Sequence, residues 1–126
     1  MNRKKILIVD DEPEICELIS QHLKRKGIDT KKAYDGKKAL QIVKKTKPDL
    51  IILDVLMPKM DGFELLQYLK SKPSYSQIPV IMLTVKSGPD DLDKGISLGT
   101  DFYLPKPFKL ENLTQFIEAI IKDRDI

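Results

Sequence analysis

This sequence lacks the marks of secreted, membrane-spanning and disulfide-stabilised proteins. It has one cysteine in 126 residues, so no intramolecular disulfide can form. Its apolar runs, such as Ile6–Val9 and Leu50–Leu53, are far too short to cross a bilayer. The basic start, Met1–Lys5, leads into a strand-like run and then acids, unlike a signal peptide. We therefore expect a cytoplasmic protein with one domain over residues 1–126.

The sequence also lacks the strong positive charge of a typical nucleic-acid-binding protein. Its 22 basic and 19 acidic side chains give 22 − 19 = +3. Residues 1–50 carry 13 − 8 = +5, whereas residues 51–126 carry 9 − 11 = −2. The excess lies in four short runs: Lys24–Lys26, Lys31–Lys32, Lys37–Lys38 and Lys44–Lys45. A solvated helix surface explains such runs, and a basic partner-binding face is the alternative.

Five strand-like segments alternate with five segments of helical periodicity. The predicted strands are Ile6–Val9, Ile28–Tyr34, Leu50–Leu53, Ile78–Leu83 and Phe102–Leu104. Helices are predicted after Pro13, around Ala39, over Phe63–Leu69, over Asp90–Leu98 and over Leu110–Ile121. Strict alternation predicts a parallel sheet with helices on both faces. In such a sheet, a site forms beyond the carboxyl ends of the strands.

Polar residues follow four of the five predicted strands. They are Asp10 and Asp11 after the first, Asp54 after the third, Thr84 at the fourth and Lys106 after the fifth. Three carboxylates at one edge raise one another's pKa values, and a divalent cation would relieve the repulsion. Oxygen ligands without histidine or cysteine favour Mg²⁺. A metal, a lysine and a hydroxyl beside an aspartate suit phosphoryl transfer to that aspartate.

Four stretches of the chain resemble the receiver domain of bacterial two-component response regulators. They are Ile8–Pro13, Leu53–Gly62, Leu83–Thr84 and Tyr103–Phe108. The resemblance, closest in kind to the chemotaxis regulators, extends over essentially the whole chain. It implies a flavodoxin-like (βα)5 three-layer sandwich with strand order 2-1-3-4-5.

The resemblance also implies a role for each residue of the predicted site. Asp54 would accept a phosphoryl group from a histidine kinase or a histidine phosphotransfer protein. Lys106 would pair with Asp54 or with its phosphate. Mg²⁺ would be bound by Asp11, Asp54 and the backbone carbonyl of Leu56, with Asp10 acting indirectly, through water.

A switch is implied beside the phosphorylation site. Thr84 would bond a phosphoryl oxygen, and Tyr103 would turn inward as Thr84 moves. Coupling would run to the surface of the predicted fourth helix, fifth strand and fifth helix, which would control an output protein or a missing output domain. A phosphorylation-dependent dimer could use that surface. The Lys106–Pro107 peptide would be cis, and the domain would bind neither nucleic acid nor membrane directly.

Alternative functions stay open beside this signalling role. A dehalogenase-like phosphatase would have a second aspartate two residues after the nucleophile, where this chain has Leu56. A flavin-binding module would need a phosphate-binding loop where Asp10–Glu12 would repel phosphate. A receiver used only for docking is the third alternative. Strand-end aspartates can also simply cap helices, and Thr84 and Tyr103 alone can be structural.

Three positions depart from the receiver pattern or limit hydrolysis. Val85 is bulkier than the small residue usual there, Leu56 cannot orient water, and Lys86 is a poor base. We therefore expect slow loss of phosphate from Asp54. The chain ends just past the last predicted helix, so it can be a stand-alone receiver or the first domain of a longer protein.

Overall fold

The computed structural model describes residues 4–54, 62–84 and 102–124. Five parallel strands pair in the order β2-β1-β3-β4-β5, as predicted. They are β1 (Lys5–Val9), β2 (Asp29–Ala33), β3 (Leu50–Asp54), β4 (Val80–Thr84) and β5 (Phe102–Pro105). Because β1 and β3 are neighbours, with Val9 opposite Leu53, the residues that follow these two strands emerge side by side.

Four helices cover the sheet within the described ranges. They are α1 (Pro13–Arg25), α2 (Gly36–Thr46), α3 (Gly62–Ser71) and α4 (Leu110–Arg124). The helix predicted over Asp90–Leu98 lies outside the described residues. No helix in the described part of the chain is both long enough and apolar enough to cross a membrane.

Local chemistry accounts for the helix boundaries. Pro13 occupies the first turn of α1, where a backbone N–H would have no helical partner anyway. After α1 the chain turns at Gly27, whose φ of 81° is accessible to glycine without a steric penalty. The Asp35 carboxylate caps α2 by accepting a hydrogen bond from the Lys38 backbone N–H at 2.8 Å.

Two predicted strand boundaries were too generous. The strand predicted over Ile28–Tyr34 pairs only from Asp29 to Ala33, and β4 begins at Val80 rather than at Ile78. The Ile78 backbone N–H instead donates to the Tyr75 carbonyl at 3.0 Å, within a turn. The Ile78 side chain therefore packs against the core although its backbone lies outside the sheet.

Alternate residues of the central strands face opposite layers of helices. Leu7, Val9, Ile51 and Leu53 pack in one cluster with residues of α2 and α3. The intervening apolar residues of β1 and β3 pack with α1 and α4 in a second cluster. Burial of each such side chain contributes roughly 1.5–3 kcal/mol to stability. The three-layer arrangement leaves the ends of the strands as the places where polar side chains can gather.

Candidate phosphorylation and metal site

The carboxyl edge of the sheet gathers charged side chains from β1, β3 and β5. Asp10 directly follows β1, Asp54 ends β3, and Lys106 directly follows β5. Asp10 is fully buried and Asp54 is 6% exposed. Ionisable residues at such depth require partners. The tertiary fold thus brings together three of the residues that the sequence analysis singled out.

Lys106 reaches three carboxylates at once. Its Nζ donates to Asp10 Oδ2 at 2.8 Å and to Glu12 Oε1 at 3.3 Å, and it lies 3.6 Å from Asp54 Oδ2. The Lys106 side chain is only 9% exposed, so water screens these attractions weakly. The Lys106–Pro107 peptide is cis, as expected.

Both carboxylate oxygens of Asp10 already have partners. Oδ1 accepts a hydrogen bond from the Glu12 backbone N–H at 2.9 Å, and Oδ2 accepts one from Lys106. Burial raises the pKa of Asp10 above its ordinary value, although Lys106 opposes the shift. A carboxylate whose two oxygens each accept a hydrogen bond from a protein donor is poorly placed to bind a metal directly, which agrees with an indirect role for Asp10.

The ammonium of Lys106 stays charged in this acidic setting. Burial lowers the pKa of Lys106, but the hydrogen bond to Asp10 and the charges of Asp10 and Asp54 outweigh that effect. The net result is a raised pKa. A permanent cation therefore lies beside Asp54.

Carboxylate oxygens of Asp10, Asp11 and Glu12 lie within 4.8 Å of one another. Asp11 and Glu12 are exposed, whereas Asp10 is buried. The ligands on offer are all hard oxygens, and Mg²⁺ usually combines one or two carboxylates with several waters. The donor set therefore fits Mg²⁺, with Asp11 and Glu12 as its accessible carboxylates.

Glu12 is the contact that sequence reasoning missed. The acid directly after Asp10 and Asp11 received no role, yet its carboxylate contacts Lys106 from 94 positions away in the chain. The available signal was the third consecutive acid before Pro13. Which acids Lys106 reaches depends on side-chain geometry that spacing does not reveal.

The remaining predicted site residues are described only in part or not at all. Leu56, Val85 and Lys86 lie outside the described residues. The backbone of Thr84 ends β4 opposite Pro105, at the carboxyl edge. Tyr103 lies on β5, is partly buried, and packs against the cluster that includes α2 and α3.

Two other side chains near the site have structural contacts. The Cys16 thiol is buried and donates to the Asp10 carbonyl at 3.4 Å, and burial raises its pKa to about 12. A thiol so difficult to ionise is a poor nucleophile. His22 Nε2 lies 2.8 Å from Thr114 Oγ1 and links α1 to α4. Because Thr114 donates its own proton to the Leu110 carbonyl, His22 is the donor.

A parallel sheet in this order, with an acidic carboxyl edge and a lysine after its last strand, is the arrangement expected of a phosphoacceptor domain. The chain belongs to the response regulator receiver domain family, whose profile matches residues 6–118.

Curated relatives support this membership. The chain is 41% identical over 123 residues to the alkaline phosphatase synthesis transcriptional regulatory protein PhoP of Bacillus subtilis, covering 98% of this chain and 50% of that protein. It is 39% identical over 121 residues to the DNA-binding dual master transcriptional regulator RpaA of Synechocystis, covering 96% and 50%. The chain thus spans about half the length of the curated relatives it matches.

Solved structures agree with the fold. The chemotaxis response regulator CheY4 of Vibrio cholerae superimposes with a TM-score of 0.88 at 34% identity, covering 94% of this chain and 99% of that one. A Francisella response regulator receiver domain gives a TM-score of 0.90 at 33% identity, covering 97% and 99%. The flavodoxin-like architecture expected from the sequence is confirmed.

Proposed function

We propose that this receiver domain accepts a phosphoryl group on Asp54 from a histidine kinase or a histidine phosphotransfer protein. The observation that carries the proposal is the Lys106 ammonium, 3.6 Å from the Asp54 carboxylate at a nearly buried edge. A carboxylate beside a fixed cation can approach an anionic phosphoryl group that it would otherwise repel.

The transfer is a single exchange of bonds at phosphorus. An Asp54 carboxylate oxygen forms the new P–O bond as the P–N bond of the donor phosphohistidine breaks. The bonding electrons remain with the imidazole nitrogen, and the product is an acyl phosphate. Lys106 offsets the negative charge of the phosphoryl oxygens throughout, and the imidazole leaves as a neutral ring with a proton on its other nitrogen.

Asp11, Asp54 and the Leu56 backbone carbonyl would hold Mg²⁺, with Asp10 assisting through water. The ion, when bound, neutralises charge on the phosphoryl oxygens. The contacts of Asp10 support its indirect role, because both of its oxygens are engaged by protein donors. The exposure of Asp11 supports its assignment as a direct ligand.

The response to phosphorylation would pass through Thr84 and Tyr103. Thr84 would bond a phosphoryl oxygen, and Tyr103 would move inward on β5. The surface formed by the helix predicted over Asp90–Leu98, by β5 and by α4 would then change its affinity for a partner, a fused output domain or a second copy.

The relatives are named as transcriptional regulators, so we propose transcription as the output and the cytoplasm as the setting. The domain would act as a switch and would turn over no other substrate.

Intact-mass spectrometry tests the phosphoacceptor directly. We expect acetyl phosphate or phosphoramidate with Mg²⁺ to add one base-labile phosphoryl group, and chelation of Mg²⁺ to prevent it. Asp54→Asn should abolish the adduct. The matched control is Asp49→Asn, at the opposite end of β3, which should be modified like the wild type.

Two results would overturn the assignment. One is an adduct that persists in Asp54→Asn, which would place the phosphoryl group elsewhere. The other is the absence of any adduct on the wild type with both small donors and a kinase, which would favour a receiver used only for docking.

A further inference from the structure

A cavity of about 320 Å³ opens at the amino edge of the sheet, opposite the phosphorylation site. Three register pairs of β1 and β2 line it, from Lys5–Asp29 to Leu7–Lys31. Lys24 from the last turn of α1 completes one side, and Thr46 at the end of α2 and Pro48 just after that helix complete the other. The cavity has the size of small-ligand sites in proteins.

The charge of the lining is positive. Lys5, Lys24 and Lys31 contribute three cations against the one anion of Asp29, so the formal charge is 3 − 1 = +2. Within the described parts of the chain, the ammonium groups of Lys24 and Lys31 form no ion pair. Their charge is therefore available to a ligand.

The surroundings add to this positive potential. Arg25 lies in the last turn of α1, and Lys44 and Lys45 lie in the last turn of α2. These residues belong to the basic runs of the first half of the sequence, which the phosphorylation site does not use. Like charges around a concavity concentrate the local field and attract anions.

Aliphatic carbon supplies much of the rest of the lining. Ile6, Leu7 and Pro48 are buried beneath the cavity, so its accessible apolar surface comes from the methylene stems of the three lysines and the methyl groups of Thr30 and Thr46. An inorganic ion would leave this apolar surface uncovered, whereas a ligand with an apolar body would cover it. The lining therefore matches an amphipathic anion better than phosphate alone.

We propose that this cavity binds a small organic anion, with a phosphate, phosphonate or carboxylate head near Lys24 and Lys31 and an apolar body against the lysine methylene stems and the Thr46 methyl group. The site is separate from Asp54 and does not depend on the phosphorylation chemistry. Failure of either proposal therefore leaves the other standing.

Titration with phenylphosphonate tests the proposal, because its P–C bond prevents it from acting as a phosphoryl donor. In ¹⁵N-labelled protein without Mg²⁺, we expect saturable amide shifts at Ile6, Thr30, Lys31 and Thr46. Lys24→Gln and Lys31→Gln should each weaken binding at least threefold. The control Lys37→Gln/Lys38→Gln removes two charges at the start of α2, one more than either single variant, and should leave the affinity unchanged.

A second variant separates a cavity from a merely charged surface. Thr46→Phe would fill the cavity while keeping every lysine, so we expect it to abolish phenylphosphonate binding. Circular dichroism would verify that each variant is folded.

Three results would overturn the proposal. They are no saturable shift up to 20 mM phenylphosphonate (about the weak limit for a small-ligand site), an equal effect of the control pair, or unchanged binding in Thr46→Phe. Salt-sensitive binding of a DNA duplex that Lys44→Gln/Lys45→Gln weakens as much as Lys24→Gln/Lys31→Gln, without dependence on Thr46, would instead identify a polyanion surface.

Discussion

The two edges of the sheet carry opposite charge in different physical settings. At the carboxyl edge, Asp10, Asp54 and Lys106 are buried or nearly so and contact one another. At the amino edge, Lys5, Lys24 and Lys31 are exposed around an open cavity. Burial strengthens each interaction and makes an unpaired charge costly, whereas exposed charges are individually replaceable. Replacement of a lysine should therefore change the stability greatly at the carboxyl edge and little at the amino edge.

Removal of the buried cation should produce the largest effect. Lys106→Met leaves Asp10 buried beside other acids without its ammonium partner, and we expect a loss of roughly 3 kcal/mol in the free energy of unfolding. The matched change at the amino edge, Lys24→Met, should stay within about 0.5 kcal/mol. Urea denaturation at pH 7 without Mg²⁺ measures both. Equal losses at the two edges would refute the comparison.

Mg²⁺ should stabilise the wild type by binding only the folded state. At a concentration ten times the dissociation constant, the gain is about 1.4 kcal/mol. Asp11→Asn should remove most of this gain, whereas Asp49→Asn at the opposite edge should retain it. Thermal unfolding with MgCl₂, compared with NaCl at equal ionic strength, provides the measurement. A gain unaffected by Asp11→Asn would place the ion elsewhere.

Replacement of the buried Asp10 by a neutral asparagine should stabilise the protein by less than Mg²⁺ does. Because the pKa of Asp10 is raised in the folded state, the folded protein binds a proton on the Asp10 carboxylate more tightly than the unfolded chain does. The contribution of Asp10 to stability therefore falls as pH rises from 3.8, its ordinary value, through the folded pKa.

Asp10→Asn removes that pH dependence while leaving an oxygen for Lys106. In Mg²⁺-free buffer we expect a higher urea midpoint than the wild type at pH 7, and a smaller advantage at pH 4. A variant less stable than the wild type at pH 7 would show that the Lys106 contact outweighs the cost of burial.

The exposed ion pair should produce the smallest effect. Lys32 Nζ contacts Glu17 Oε2 at 2.6 Å, closer than Lys106 contacts any acid, but the two side chains are 29% and 50% exposed. Because solvent screens this pair, Lys32→Met should hardly change the free energy of unfolding measured in urea. A loss comparable to that of Lys106→Met would show that distance, rather than burial, controls these pairs.

Much of the fold could be read from local patterns. The buried runs in β1 and β3 and the turn residues Gly27 and Asp35 act over a few positions, so sequence reveals them. The end of β2 and the start of β4 were harder to predict from the sequence, because strand pairing depends on a neighbour distant in sequence. The strand order required the family resemblance in addition to periodicity.

The candidate site divides in the same way. Alternation of strands and helices is enough to predict that Asp10, Asp54 and Lys106 share one edge, because parallel strands share their carboxyl ends. Their roles in phosphoryl transfer remain predictions. The basic runs of the first half indicated the charge around Lys24 and Lys31, but the concave shape had no sequence signal, since its walls come from four separate elements.

The order of residues was sufficient to predict a parallel sheet covered by helices and the charged residues at its carboxyl edge, because burial periodicity and turn formation are local. Only the tertiary structure decided that Lys106 lies nearer to Asp10 and Glu12 than to Asp54. These distances depend on contacts between side chains separated by up to 96 positions, and on how burial changes the strength of their charge interactions.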